Sequence, residues 1–325
     1  MSAQPRAGGA HAKHSTLVDA DVVRAAIDAG QPRLVFQPIV DLRDRRVIGL
    51  EVLARFDIEP HLAPDVWFYS AHRVGLGPEL EVQVLRKAAT AAASIPSDAF
   101  LAVNVSPETV LARDVGSHFD DATAPRIVLE ITEHAPVDDY EGLTTAVARL
   151  RERGIRIAVD DVGAGYSTLR HVLRLDPEVI KLDGEVTMGV DQDLGRAKFV
   201  GGLIAGASAV SALVVAEGIE TESQLARLLD LGVRGGQGFL LGRPTELQLA
   251  IADGNKTATA LAPMETTLRA ASRKTRSALT RARILVVDDS VAHRVLIRTT
   301  FELEGATVGE ATTAAAALHA VETAT

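Results

Sequence analysis

One pattern recurs along residues 34–241: a short apolar run ends near a polar or charged residue, and a stretch with helical spacing usually follows. Strands that alternate with helices in this way predict an α/β fold with a parallel sheet. Eight such strands over roughly 200–250 residues are typical of a (β/α)8 barrel of the TIM type. The eight predicted strands are residues 34–39, 47–53, 100–105, 127–131, 155–159, 179–182, 213–216 and 236–241.

The stretches between these runs include four predicted helices, at residues 79–93, 140–153, 194–208 and 222–231. Gly154 and Gly232 follow two of them directly, and glycine is a common residue just beyond a helix. An open, doubly wound sheet is the alternative fold. Its first strand is usually followed by a glycine-rich phosphate-binding turn, whereas Gln37-Pro38-Ile39 stands here. The barrel is therefore favoured.

The composition excludes several classes of function. Lys and Arg total 34 against 43 Asp and Glu, and this net charge of −9 argues against broad binding to a nucleic acid polymer. The absence of cysteine rules out disulfides, zinc-thiolate sites and cysteine nucleophiles. No apolar stretch approaches the ~20 residues of a membrane span, and residues 1–14 lack the apolar region of a signal peptide. We expect a cytoplasmic protein with no membrane association and a disordered tail at residues 1–16.

Two adjacent carboxylates, Asp160 and Asp161, end the fifth apolar run and precede a glycine-punctuated turn. Buried strands rarely end in two charges, because unpaired charge is costly away from water. For this segment alone, plain turn chemistry and a metal or catalytic site are equally good explanations. The other predicted strands end near a further polar set, namely Glu51, Asn104, Glu130, Lys181, Glu217 and Gln237.

In such a barrel the active site lies at the carboxyl ends of the strands, so these side chains are expected to meet at one mouth. Each has an ordinary explanation alone: a carboxylate can pair with a loop cation, Asn104 can be a turn residue, and Lys181 can be a surface charge. Their convergence favours a site. Five close carboxylates repel one another unless divalent cations neutralise them, and oxygen ligands suit Mg²⁺ or Mn²⁺ better than zinc. Two adjacent aspartates also allow one to bridge two ions, as in enzymes that attack a phosphodiester in line.

Several segments resemble the motifs of the EAL-domain cyclic di-GMP phosphodiesterases, and they occur along the chain in the same order as in that family. The signature corresponds to Glu51-Val52-Leu53 with Arg55, preceded by Phe36-Gln37-Pro38-Ile39. The resemblance covers about residues 17–250, and the motifs are highly specific in combination. The remaining motifs are Asn104-Val105-Ser106-Pro107, Leu129-Glu130-Ile131-Thr132-Glu133, VDDVGAGYS at residues 159–167, Ile180-Lys181-Leu182-Asp183, Ala216-Glu217-Gly218-Ile219-Glu220-Thr221 and QGFLLGRP at residues 237–244.

The resemblance implies a barrel whose first strand runs antiparallel to the others. It also implies that two Mg²⁺ or Mn²⁺ ions support hydrolysis of one phosphodiester bond of cyclic di-GMP, with linear pGpG as the product. The residues implied as metal ligands by their motif positions are Glu51, Asn104, Glu130 and Asp160, with Asp161 serving the second ion.

Further roles follow from the same resemblance. Glu217 would be a metal ligand or the general base, and Lys181 would hold and polarise the attacking water. Gln37 and Arg55 are implied to contact the substrate, and Gln237 to order the water or the region of the second metal. The residues implied to couple a glycine loop to dimerisation are Glu133, Gly163, Gly165 and Glu220, so a homodimer is expected.

Two departures from the family pattern bear on regulation. Val52 replaces alanine in the signature and is expected to be harmless, whereas Val162 and Ala164 replace the common phenylalanine and threonine and could loosen the loop. The alternative function is a non-catalytic receptor for cyclic di-GMP. Degenerate receptors usually lack metal ligands, and every ligand position is filled here, which favours the enzyme.

A change in composition follows the predicted barrel domain at residues 17–253. Residues 254–282 are basic without interleaved aromatic residues, which favours a solvated linker over a nucleic acid patch. Residues 284–287 have the pattern of a buried strand, 291–303 and 312–322 that of helices, and 306–310 could form a second strand. Residues 283–325 resemble the start of a response-regulator receiver domain, as an incomplete βαβα fragment. Asp288 and Asp289 would be its acidic Mg²⁺ pair, but the third strand that carries the phosphoacceptor is missing, so we expect them to be inert. Two-component partners are expected only if a complete receiver domain exists.

Overall fold

The structure, a computed structural model, describes most of residues 17–260 and a smaller part of the remainder. The predictions for residues 1–16, the basic segment 261–282, Glu133, Gly165 and Asp288-Asp289 lie outside the described residues. The described ranges are residues 17–131, 137, 139–163, 172, 174–209, 211–260, 283–287, 294, 298, 301, 307–313 and 316–317.

Eight strands form a closed barrel in sequence order, which confirms the predicted architecture. The first strand is antiparallel to both of its neighbours, the second and eighth, while the other neighbouring strands are parallel. The strands are β1 (Arg33–Asp41), β2 (Arg46–Arg55), β3 (Phe100–Val105), β4 (Ile127–Ile131), β5 (Arg156–Val162), β6 (Val179–Leu182), β7 (Leu213–Ala216) and β8 (Gly235–Gly236).

The eighth strand is much shorter than the predicted range 236–241, so that boundary is wrong. Gly236 pairs with Val40 of β1, and the chain then turns, because the amides of Leu241 and Gly242 bond back to the Gly238 carbonyl. Gly238 has a φ of +155°, and a Cβ there would lie 2.2 Å from the Ile219 amide nitrogen. The apolar residues after Gln237 therefore belong to a turn packed against the β7 loop.

Helices surround the barrel, and the four predicted ones are present within two residues of their predicted ends. Gly154 and Gly232 adopt positive φ angles of 83° and 91° just beyond two of them, as expected for helix-ending glycines. The helices are α1 (Ala20–Asp28), α2 (Pro64–Arg73), α3 (Gly77–Ala92), α4 (Pro107–Ala112), α5 (Tyr140–Glu152), α6 (Gly184–Thr187), α7 (Leu194–Ala209), α8 (Glu222–Asp230) and α9 (Leu247–Ala260).

The inward-facing positions of the barrel change from apolar to polar along the strands. Residues two apart on a strand share a face, so Ala102 lies beneath Asn104, and Val128 lies beneath Glu130. The same spacing relates an apolar residue to Asp160 of β5, to Lys181 of β6 and to Glu217 directly after β7. The apolar layer consists of Ile39, Ile48, Phe100, Ala102, Val128, Ala158, Val179 and Val215, and it closes the barrel below the polar layer.

Beyond the barrel, α9 runs to Ala260 and packs on β1 and β2, so helical structure continues past residue 253. Farther along, β9 (Arg283–Val287) and β10 (Thr307–Ala311) form a parallel pair at the predicted strand positions. The prediction of a buried strand at 284–287 is only partly correct, because Val286 alone is buried and Val287 is exposed. The helices predicted at 291–303 and 312–322 lie mostly outside the described residues. No helix in the described part of the chain is long and apolar enough to cross a membrane.

Candidate metal and substrate site

Lys181 lies at the centre of an acidic cluster at the carboxyl end of the barrel, and its side chain is 2% exposed. Its Nζ lies 2.7 Å from Glu217 Oε1 and 3.0 Å from Glu130 Oε2. The same atom lies 3.3 Å from Glu51 Oε1 and 3.4 Å from Asp160 Oδ1. The four carboxylates belong to β2, β4, β5 and the residue after β7, so closure of the barrel brings them together.

Burial dominates the electrostatics of this cluster. It raises the pKa of Glu130 well above the ordinary value; Lys181 opposes this rise, and the neighbouring carboxylates add to it. The pKa of Glu217 is raised to about 8, again by burial first, against the opposing effect of Lys181. Burial lowers the pKa of Lys181, but Asp160 and the other three carboxylates outweigh it, so its pKa is raised and the ammonium group stays charged.

Two groups of carboxylates have oxygens close enough to share a cation. Oxygens of Glu51, Glu130 and Asp160 all lie within 4.8 Å of one another, and so do oxygens of Asp160, Asp161 and Glu217. Asp160 belongs to both groups. The two groups together contain five carboxylates, and the one ammonium of Lys181 contacts four of them. The donor set therefore fits hard divalent cations, which oxygen ligands bind best.

A distortion of β5 allows two consecutive residues to face the same site. Side chains normally alternate between the faces of a strand, but the register with β6 shifts between Val159 and Val162. Asp161 has a φ of 55°, a left-handed conformation that is uncommon for residues other than glycine, and its amide donates to Asp160 Oδ1 at 2.9 Å. The bulge explains how both aspartates come within reach of Glu217.

A chain of amides connects the first and last strands on one side of the cluster. Asn104 Nδ2 donates to Glu51 Oε1 at 3.2 Å, and Gln237 Nε2 donates to the other oxygen of Glu51. Gln237 Nε2 also lies 3.1 Å from Gln37 Oε1, and Gln37 Nε2 donates to the Gly242 carbonyl at 3.0 Å. Among the described residues, the buried Oε1 of Gln237 has no hydrogen-bond partner, which leaves an acceptor free beside Glu51.

Three other residues predicted at the site lie nearby or on its rim. Arg55 ends β2, and its guanidinium donates to the Ala54 carbonyl, so the contacts described for it do not reach the acidic cluster. Gly163 follows β5 with a φ of 111°, and a Cβ there would lie 2.6 Å from a methyl group of Val186. Glu220 is exposed, with its amide bonded to Gln224 Oε1 at 3.0 Å.

Two buried polar residues that the sequence did not single out support the loop after β7. Thr187 Oγ1 donates to the Glu217 carbonyl, and Gln224 Nε2 donates to the Gly218 carbonyl at 3.1 Å. Gly218 has a φ of 65°, and a Cβ there would lie 3.0 Å from Gly184 Cα, so the loops after β6 and β7 touch through their backbones. Because the bond from Thr187 joins residues 30 positions apart, local sequence patterns gave no signal for it.

Comparison of the chain with models of known protein families identifies the family to which the barrel and its acidic cluster belong. The model of the EAL domain matches residues 20–244, and the chain belongs to this family. The cyclic di-GMP phosphodiesterase RocR of Pseudomonas aeruginosa is 32% identical over 241 residues, which are 69% of this chain and 60% of RocR. The chain spans between 30% and 60% of the length of curated relatives such as this one.

Solved structures give the same classification. The MucR phosphodiesterase in complex with c-di-GMP has a TM-score of 0.63 and 28% identity, over 70% of this chain and 98% of that one. The complex of BlrP1 from Klebsiella pneumoniae with manganese and cyclic di-GMP has a TM-score of 0.59 and 26% identity, over 66% of this chain and 56% of that one. The matched family model ends at residue 244, before the segment 283–325.

Proposed function

We propose that this chain hydrolyses one phosphodiester bond of cyclic di-GMP, giving linear pGpG, and that two Mg²⁺ or Mn²⁺ ions support the reaction. The observation that carries this proposal is the pair of carboxylate groups that share Asp160 around the buried Lys181. Related proteins support it, because RocR is named a cyclic di-GMP phosphodiesterase and MucR and BlrP1 are described in complex with cyclic di-GMP.

The two carboxylate groups suggest how the ions would be held. The group of Glu51, Glu130 and Asp160, with the Asn104 amide beside Glu51, would hold the first ion. Asp160, Asp161 and Glu217 would hold the second. When bound, the ions would supply charge neutralisation and a lowered pKa for a water molecule, which are the usual contributions of paired metals to phosphodiester hydrolysis.

The chain's own residues would position the water and the substrate. Lys181 presents a charged donor in contact with four carboxylates, so it can hold a water at the mouth and favour its deprotonated form. Glu217 is the candidate proton acceptor if it does not serve only as a ligand. Gln37 and Arg55 are proposed to contact the substrate, and the free acceptor of Gln237 would orient the water.

We further propose a cytoplasmic homodimer in which Glu133, Gly163, Gly165 and Glu220 couple the loop after β5 to the partner subunit. This part rests on the resemblance to the family. Sedimentation velocity on the full chain tests it, because a concentration-independent monomer would contradict the dimer.

The proposed reaction is tested by incubating the full chain with cyclic di-GMP and Mg²⁺ or Mn²⁺ and separating pGpG by chromatography. We expect pGpG to form, chelation to stop it, and Glu51→Ala to abolish it. Glu152→Ala is a matched control, because Glu152 is an exposed carboxylate at the far end of α5.

Two outcomes would contradict the proposal. Saturable binding of cyclic di-GMP without any product would favour the non-catalytic receptor. Product formed at an undiminished rate by Glu51→Ala would place the reaction elsewhere on the chain.

A further inference from the structure

A second cluster of charged residues lies behind the mouth of the barrel, between α2, α3 and the turn that follows β3. Its centre is Glu81 of α3, a carboxylate that is 7% exposed. One of its oxygens accepts from both the amide and the hydroxyl of Ser106, at 2.9 Å and 3.0 Å. The other lies 2.7 Å from His72 Nε2. Every oxygen of this buried carboxylate therefore has a partner.

The imidazole of His72 connects this carboxylate to the next helix. Its Nδ1 lies 2.8 Å from Glu108 Oε2, in the first turn of α4, so the ring bridges Glu81 and Glu108. Gly77 leaves the room that the ring needs, because a Cβ there would lie 2.3 Å from His72 Nδ1. With a carboxylate on each nitrogen, His72 is a cation that neutralises the buried Glu81.

The cluster holds the point where β3 leaves the barrel. Ser106 is the N-cap of α4 and accepts from the Thr109 amide at 3.1 Å. It comes two residues after Asn104, whose amide donates to Glu51 and whose strand neighbour is Glu130. The two hydrogen bonds that the amide and hydroxyl of Ser106 donate to Glu81 thus fix the strand end that presents Asn104 to the acidic cluster.

We propose that Glu81, neutralised by His72, is a positioning residue that holds Asn104 in place for the first metal ion. Neither Glu81 nor His72 touches the acidic cluster around Lys181, so both act through Ser106. This inference rests on the proposed metal site. The competing explanation is that the cluster only stabilises the packing of α2, α3 and α4, and the two explanations differ in what they predict for metal affinity.

Glu178 provides a matched control for Glu81. It is a carboxylate that accepts a backbone amide of the barrel, that of Ile157, at 2.8 Å and pairs with a cation, Arg151, at 2.7 Å. It lies at the opposite end of the barrel, where β5 begins. Loss of Glu178 therefore removes the same kinds of bond without touching the metal site.

The test measures Mn²⁺ binding to the full chain without substrate, by electron paramagnetic resonance of the free ion, together with thermal unfolding without metal. For Glu81→Gln we expect Mn²⁺ affinity to fall about 10–100-fold, the usual effect of removing a residue that supports a metal ligand. In the pGpG assay, the Mn²⁺ concentration for half-maximal rate should rise in the same proportion, while the rate at saturating Mn²⁺ changes little. Glu178→Gln should lower the unfolding temperature and leave Mn²⁺ affinity unchanged.

Milder variants keep the proposal testable if Glu81→Gln does not fold. Ser106→Ala removes the hydroxyl bond, and Ser106→Thr keeps it, so threonine should restore the Mn²⁺ affinity that alanine lowers. Equal Mn²⁺ affinity in wild type, Ser106→Ala and Ser106→Thr would overturn the proposal, as would wild type that binds no Mn²⁺. If wild type binds Mn²⁺ but forms no pGpG, and Ser106→Ala weakens binding, the positioning role stands and the proposed function fails.

Discussion

The bridge between His72 and its two carboxylates predicts a pH dependence of folding stability. Hydrogen bonding to Glu81 raises the pKa of His72 from 6.5 to about 9; partial burial opposes this rise, and the pairing with Glu108 adds to it. In the unfolded chain the imidazole titrates near its ordinary value. Between about pH 6.5 and 9 the folded protein therefore binds more protons than the unfolded chain, so stability falls as pH rises.

The magnitude follows from the difference between the two pKa values. At about 1.36 kcal/mol per pKa unit, a rise from 6.5 to about 9 corresponds to between about 3 and 4 kcal/mol before any reduction by solvent. This contribution is fully present below pH 6.5 and is lost as pH rises through about 9. Because the imidazole is partly exposed, we expect a measured loss of about 1–3 kcal/mol.

The assay is urea unfolding at several pH values from 6 to 9.5, followed by tryptophan fluorescence. Trp67 is the only tryptophan, is fully buried, and stacks on Phe56 with ring centroids 4.7 Å apart, so it reports unfolding close to His72 in α2. His72→Gln retains hydrogen-bonding groups and does not titrate. The difference in free energy of unfolding between wild type and this variant should shrink with rising pH, and a difference constant from pH 6 to 9.5 would refute the reasoning.

Three further outcomes are expected. Gly49→Ala should lower the free energy of unfolding in urea by about 1–3 kcal/mol, because its Cβ would lie 2.5 Å from the Phe100 ring in the closed end of the barrel. Gly201→Ala in α7 is the control and should not lower it, because its Cβ would make an ordinary contact at 3.5 Å. Lys181→Met should reduce turnover by about 10²–10⁴-fold, and Mn²⁺ should raise its melting temperature more than that of wild type, since unpaired buried carboxylates remain. Gln224→Leu should lower the free energy of unfolding by about 1–3 kcal/mol, because it leaves the Gly218 carbonyl without its hydrogen-bond donor. A melting temperature equal to that of wild type would contradict this.

The architecture of the barrel could be predicted from the sequence because each buried strand is a short apolar run, and these runs recur along the chain. Apolar runs such as 100–105 and 127–131 match β3 and β4 at both ends, since each strand is covered on both faces. The prediction was wrong for β8, whose apolar sequence continues beyond the point where pairing stops. The turn at Gly238 depends on contact with Ile219, and the spacing of apolar residues in the sequence does not predict that contact.

The candidate site was predictable to a similar depth. Strand ends pointed to Glu51, Glu130, Asp160 and Lys181, and closure of the barrel brings these side chains into contact. The supporting residues were not predictable. Glu81 lies on a helix that reads as an ordinary amphipathic segment, and its partners are known only when α2, α3 and β3 are in place.

The short β8 strand has a consequence for the order in which the site can assemble during synthesis. Two residue pairs join it to β1, and Gln237 reaches Gln37 and Glu51 across sequence separations of 200 and 186 residues. Contacts between such distant parts of a chain form late, because a long loop must close first. We therefore expect Glu51 and Glu130 to stay hydrated while a ribosome is still making the chain, and to lose their water when Gly235–Gly236 closes the ring. In this order of folding, the unfavourable burial of these acids would be postponed until the last strand has emerged.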